Sequence, residues 1–295
     1  MKYTPILILY LLASCMPQNK TSPIITYPGG FQKALILSYD DGTIQDVELA
    51  SLFDEHKLIG TFNLNSGYIG TIKGWPLANG DTVYQRYVPT DSLDLIYKNH
   101  EIAAHGQYHK DFTTVSIDEV RKELAEDISY FQDKNIDVKS MAYPFGKTDT
   151  IIGELARELG FINGRTIDDT HTYSIPDSDQ FLFWPPTTHD SRVLEHSEKY
   201  INLKSDDLKL LYVWGHSWEF GDSTRWNNMI KFCEAMGKAE DIWSVGHREF
   251  TEYILAIRDL EWDINEVRNP NSRITIWIKH GNQTMKLKPG QTREF

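Results

Sequence analysis

Asp40 and Asp41 stand side by side at the end of Leu35-Ile36-Leu37-Ser38-Tyr39-Asp40-Asp41-Gly42, an apolar run with strand character. Neighbouring side chains on a strand point to opposite sides, so the two carboxylates suit different tasks, one holding a metal and the other handling a proton. The pair alone is weak, because Asp168-Asp169 and Asp206-Asp207 also occur and because Asp and Gly end strands through their turn preferences. His105 and His109 form an H-x3-H pair. On a helical turn that spacing puts both rings on one face, as a divalent cation requires. Two His and one carboxylate with an open water position make a typical catalytic zinc site. His216 follows another apolar run, Leu210-Leu211-Tyr212-Val213-Trp214. Its ordinary pKa near 6.5 suits an acid, with a hydrogen-bonded core histidine as the alternative.

These residues need elements that bring them together. From residue 31 onward, apolar runs alternate with helix-like segments. Strands are expected at 34–39, 60–65, 101–104, near 138–143, near 161–166, at 181–184, at 210–214 and at 242–245. Helices are expected near 46–56, from 91 to 99, after Ser116 (a capping box with Glu119), from 149 to Gly160, at 191–202, near 225–237 and at about 248–260. Such repetition implies a parallel sheet, open or closed into a barrel. Strand C-termini then share one side, where active sites sit. Asp41, His105 and His216 each follow a strand, so they converge. The stretch from about 67 to 90 is long for a connection and is a candidate binding surface. Residues 274–279 and 284–288 flank His280-Gly281-Asn282-Gln283 and read as a β-hairpin appended to the main domain.

In combination and order, these motifs resemble the polysaccharide deacetylases of the NodB-homology type, carbohydrate esterase family four. The resemblance runs from about Lys33 to Arg258. It rests on Ser38-Tyr39-Asp40-Asp41-Gly42, His105-Gly106-Gln107-Tyr108-His109, part of Ala142-Tyr143-Pro144-Phe145-Gly146, and Trp214-Gly215-His216. It implies a distorted, incomplete (β/α) barrel carrying the β-hairpin extension, where alternation alone also allows an open doubly wound sheet. It further implies a zinc ion, or else cobalt or nickel, on Asp41, His105 and His109. Asp40 would be the base, His216 the acid, and the backbone N–H of Phe145 an oxyanion donor. Tyr143 and Pro144 would line the substrate site.

The family's third motif normally carries an Arg two residues before the Pro, where this chain has Ala142; Arg165, at the end of the next strand, is the expected replacement, with a structural Arg as the alternative. The family's Asp-Trp motif is not clean either. Trp184 and Asp190 are its nearest counterparts, and Asp168 and Asp169 compete with Asp190 to orient His216. Among the aromatics Tyr68, Trp75, Tyr84, Tyr87, Trp184 and Trp218, those favoured as the floor of a sugar groove are Trp184 and Trp218.

The 295 residues are 40% hydrophobic and 24% charged, ordinary globular composition. A net charge of −12 argues against a nucleic-acid partner. Residues 1–15 resemble a bacterial lipoprotein signal, with Lys2 before a short apolar run and Leu12-Ala13-Ser14 leading into Cys15. An ordinary signal peptide is the alternative. Cys15 would carry the lipid, 16–30 would be a tether, 31–262 the deacetylase domain and 263–295 the β extension. The expected location is the periplasm or cell surface, with the membrane reached only through the anchor. Cys233 then has no disulfide partner and is expected to be buried. The expected activity is metal-dependent removal of acetyl groups from N- or O-acetylated glycans. Two rivals stand beside it: a metallohydrolase of small amides on the same fold, and a non-catalytic glycan-binding lipoprotein.

Overall fold

The computed structural model describes residues 22–77 and 79–295. The signal, Cys15 and the first part of the tether lie outside the described residues. One parallel sheet of eight strands organises the molecule. In chain order these are β1 (Lys33–Asp41), β2 (Gly60–Leu64), β3 (Glu101–Ala104), β4 (Ser140–Ala142), β5 (Asn163–Arg165), β6 (Thr188–His189), β7 (Lys209–His216) and β8 (Ile242–Ser244). Their order across the sheet is β5-β4-β3-β2-β1-β7-β6, and β8 pairs with the first residues of β1. In register, His216 of β7 and Asn63 of β2 flank Asp40 of β1. The three motif strands therefore end together because they are parallel neighbours or near neighbours.

The sheet curls far enough to bring its edges together. In a flat sheet β5 and β1, four strand spacings apart, would be separated by roughly 19 Å. Arg165 at the end of β5 nevertheless bonds Asp40 on β1, which only a barrel-like curl permits. Trp184 forms a parallel bridge to Arg165, and the chain then runs directly into β6, so residues 184–189 nearly close the gap. This is the incomplete barrel that the resemblance implied.

The period-two alternation of β1 explains the two cores. Leu35, Leu37 and Tyr39 face outward against the helices α1 (Asp46–Glu55), α2 (Ile117–Gln132), α3 (Thr150–Glu158), α4 (Val193–Ile201) and α5 (Ser223–Lys238). Cys233 is buried in α5. Ala34 and Ile36 point inward, with Trp184, Tyr212 and Phe250. Further along the inside come Ser38, Asn63 and Asn163, whose amides and hydroxyls bond one another or Thr251 of α6 (His247–Arg258). The barrel is thus apolar at its foot and polar towards its mouth.

Some elements differ from expectation. Residues 181–184 are not a strand: Ser178–Phe183 form 3-10 turns, and only Trp184 reaches the sheet. The long 67–90 stretch carries an antiparallel hairpin, Ile72–Pro76 with Thr82–Arg86. The expected C-terminal hairpin forms between Ile276–His280 and Gln283–Leu287. It does not stand alone, because Ile24–Thr26, inside the stretch read as a tether, adds a third strand to it. Residues 261–263, 266–268 and 292–294 form another small sheet.

Candidate active site

At the mouth of the barrel a cavity of about 380 Å³ is lined by Asp40, Asp41, His105, His109, Trp214 and His216, among others. The turns after the strands aim these groups. Asp41, His109 and Phe145 all have positive φ (81°, 53° and 59°). Such conformations are rare for residues with a Cβ and are kept where the surroundings enforce them. Alternation would have turned Asp41 away from Asp40; the left-handed residue brings both near His105 instead. His105–His109 is no helical turn, contrary to the reading of its spacing. It is an irregular loop in which Gly106 at φ 74° reverses the chain, and the rings still meet edge-on at 4.8 Å.

Nε2 of His105 lies 3.7 Å from Asp41 Oδ1, and Nε2 of His109 lies 3.5 Å from the same oxygen. His105 Nδ1 sits 2.8 Å from the carbonyl of Ala142, which fixes the proton on Nδ1 and leaves Nε2 with its lone pair turned inward. That Nε2 is buried without a hydrogen-bond partner. Burial lowers the pKa of both imidazoles to about 4, so both are neutral donors at neutral pH. A buried, unpartnered nitrogen beside a second neutral imidazole and a carboxylate fits a divalent cation. The indole N–H of Trp218 donates to the other Asp41 oxygen at 2.7 Å. The carboxylate of Asp127 holds the backbone N–H of His105 from behind at 3.1 Å.

Asp40 is differently placed. The Arg165 guanidinium, fully buried, grips both carboxylate oxygens. It also donates to Ser38 Oγ and the Thr166 carbonyl, and it lies 5.0 Å over the Trp214 ring. Asn63 adds a 2.9 Å bond to Asp40 Oδ1. Burial alone would raise this carboxyl, but Arg165, His105 and His216 hold it below the ordinary carboxylate range. Asp40 is therefore an oriented anion.

The carboxylate nearest His216 is none of the three aspartates considered from sequence. It is Glu219, on the turn just after the histidine, with Oε1 3.6 Å from His216 Nδ1. His189 Nε2 at 3.2 Å and Arg225 at 2.8 Å hold its other oxygen. Asp190 lies one layer back, gripped by the same Arg225 at 2.6 Å. Asp169 accepts the Trp214 indole N–H at 2.8 Å and so positions that ring. Burial would lower the pKa of His216, but Glu219 with Asp41 and Asp40 raises it to about 9. His216 is thus protonated at neutral pH. His189, His216 and Glu219 also cluster closely enough to share a cation, but the guanidinium on Glu219 already neutralises that carboxylate.

Three residues expected to contact substrate, Trp184, Tyr143 and Pro144, are buried instead. Trp184 is 1% exposed, stacked on Phe181 and edge-on to His247, so it belongs to the barrel core. Tyr143 is buried, its hydroxyl donating to the Leu182 carbonyl. Pro144 is buried beneath the turn that exposes Phe145, whose ring packs edge-on to His109 at 4.5 Å. Trp218 does line the cavity. Sequence reasoning missed Glu219, although its position three residues after His216 was a signal.

A curled parallel sheet whose strand ends gather an Arg-held carboxylate, a donor set for a cation and a protonated histidine defines a hydrolase-type α/β barrel. Residues 29–164 match the family model for polysaccharide deacetylase. Among solved structures, the chain shares the fold of a Mycobacterium smegmatis protein described as a polysaccharide deacetylase. The TM-score is 0.57 at 17% identity, covering 81% of this chain and 96% of that one. A family 4 carbohydrate esterase from Streptomyces lividans, solved with acetate, aligns at TM-score 0.46 and 10% identity over 72% of this chain and 92% of its own. A family 4 acetyl xylan esterase from Clostridium thermocellum, solved with a cobalt ion, aligns at 0.47 and 16% over 75% and 92%. The fold assignment rests on the first. No curated protein matches the chain in sequence.

Proposed function

We propose that this protein is a metal-dependent hydrolase that removes acetyl groups from N- or O-acetylated glycans. The observation that carries the reading is that one cavity gathers Asp40 held by Arg165, a protonated His216, and the donor set Asp41, His105 and His109. A divalent cation held by those three residues, zinc or else cobalt or nickel, would supply Lewis-acid chemistry, activating water and polarising the acyl oxygen. Asp40 takes the proton from the attacking water, its lone pairs aimed by Arg165 and Asn63. The backbone N–H of Phe145 would donate to the oxygen that gains negative charge. His216 delivers its proton to the leaving nitrogen or oxygen, and Glu219 steadies the imidazolium until then. Each proton transfer by a placed group contributes about 10²–10⁴-fold.

The test is acetate release from acetylated chitooligosaccharides and acetylated xylan. As-purified, chelated and metal-restored protein are compared, with Asp40→Asn alongside. Acetate release that chelation removes, metal restores and Asp40→Asn abolishes supports the reading. Metal binding without acetate from either polymer refutes these substrates, and absence of metal binding leaves the glycan-binding reading. We also propose export with a lipid on Cys15, which palmitate labelling that disappears in Cys15→Ala would support.

A further inference from the structure

Beside the reaction cavity lies a second one of about 340 Å³, and the two share Asp41, His109, Phe145 and Trp218. Its other wall is the hairpin Ile72–Pro76 with Thr82–Arg86, whose Trp75 meets the His109 ring edge-on at 6.4 Å. Alternation along the hairpin turns Trp75 and Leu77 on one side, and Val83 and Gln85 on the other, towards the cavity. Tyr84 points the opposite way and is 73% exposed. A pocket for a bare sugar needs several planar polar side chains for the hydroxyls. This one offers Gln85 and Tyr87, beside the shared Asp41 and His109, against the apolar faces of Trp75, Leu77, Val83, Phe145 and Trp218. Asp40, Trp214 and His216 line only the first cavity. Trp218, shared by both cavities, lies 5.0 Å from the His216 ring.

Because the two cavities share Asp41, His109, Phe145 and Trp218, a molecule reacting in the first can extend into the second. We propose that the hairpin pocket takes an apolar aglycone, alkyl or aryl, attached to the acetylated sugar, and that the preferred substrate is an amphiphilic glycoside. This deepens the deacetylase reading and rests on it. Sugar polymer without an apolar group, or an acyl chain longer than acetyl, are the competing occupants.

The experiment compares acetate release from methyl and octyl glycosides of N-acetylglucosamine and of O-acetylated glucose, kept below micelle-forming concentration. Each buried methylene is worth about fourfold in affinity, so the octyl compound is expected to show a KM lower by about tenfold or more. Val83→Asp, at a half-exposed hairpin position, is expected to collapse the octyl-over-methyl ratio, and Tyr84→Ser on the outer face to retain it. Binding of octyl glucoside, which carries no acetyl group, is followed separately by quenching of tryptophan fluorescence. Equal KM for methyl and octyl substrates, without octyl glucoside binding, overturns the pocket and leaves the deacetylase reading intact. Octyl glucoside binding that Val83→Asp removes, with no acetate from any substrate, keeps the pocket and overturns the deacetylase reading. A preference for longer acyl chains over octyl aglycones also overturns the proposal.

Discussion

Asp40 and Arg165 illustrate how a buried ion pair becomes a tool. Both side chains are almost wholly inaccessible. Removing one partner of such a pair leaves an uncompensated buried charge and costs about 3–5 kcal/mol. Asp40 has a depressed pKa in the folded protein. Its contribution to stability is therefore present above the unfolded carboxylate value and lost as pH falls through the folded one. Arg165→Ala inverts this: burial then raises the carboxyl, and Asp40 binds a proton it must not hold as a base. The expected result is a loss of about 100-fold or more in kcat at neutral pH, with the acid limb of the pH profile moved upward. Arg165→Lys, a point charge without the planar fork, should recover only part of it. Full activity in Arg165→Ala would return this residue to a structural role. His216 carries the opposite sign. Its pKa is raised to about 9, so the acid is present at neutral pH and vanishes as pH rises through that value. A cation on Asp41 would withdraw part of that support and lower the alkaline limb. Glu219→Gln should move that limb further towards the ordinary histidine value near 6.5; an unmoved limb would remove Glu219 as the tuning group.

The strands bring the motifs to one end of the barrel, and the turns beyond them do the aiming. The turn through Pro144-Phe145-Gly146 shows the constraint most sharply. Gly146 has φ 66°, and a Cβ there would lie 2.4 Å from Ile167 Cγ1 and 2.8 Å from the Ile167 nitrogen. Gly146→Ala therefore meets both backbone strain and a backbone clash. It should cost about 1–3 kcal/mol in denaturant unfolding and lower kcat by displacing Phe145; unchanged stability and kcat would show that the turn tolerates relaxation. The strand–helix rhythm was legible because apolar runs and caps report local structure directly. Asp40, Asp41, His105, His109 and His216 were legible because each stands at or just beyond the end of a strand, and parallel strands share an end. What a side chain touches after the strand ends was harder to read. An aromatic run such as Phe181-Leu182-Phe183-Trp184 has the same composition whether it floors a groove or plugs a barrel. Only the curl of the sheet decided that Trp184 plugs. Glu219 was obscured for a related reason, since the His–Glu pair depends on a 3-10 turn at Ser217–Gly221 that periodicity does not announce.

The two ends of the described chain meet at the foot of the barrel, opposite the cavity. Tyr27 donates to the carbonyl of Lys209 at the start of β7, and Tyr253 of α6 donates to Thr26 while accepting from the backbone N–H of Trp277. Ile276, Ile278 and Leu287 of the C-terminal hairpin are fully or almost fully buried in the same cluster as Ala34, Ile36 and Trp184. The hairpin is therefore part of the wall that closes the inner core, not an appended domain. In barrels of this kind the foot serves stability and the mouth serves chemistry. Ile278→Ala should remove about 2–5 kcal/mol by leaving a cavity there and lower Tm by roughly 5–10 °C, in a single calorimetric transition. Acetate release per folded molecule should stay unchanged at low temperature, because nothing at the mouth moves. Two separate transitions, or a Tm indifferent to the substitution, would mean that the hairpin folds by itself and that the barrel core ends with α6.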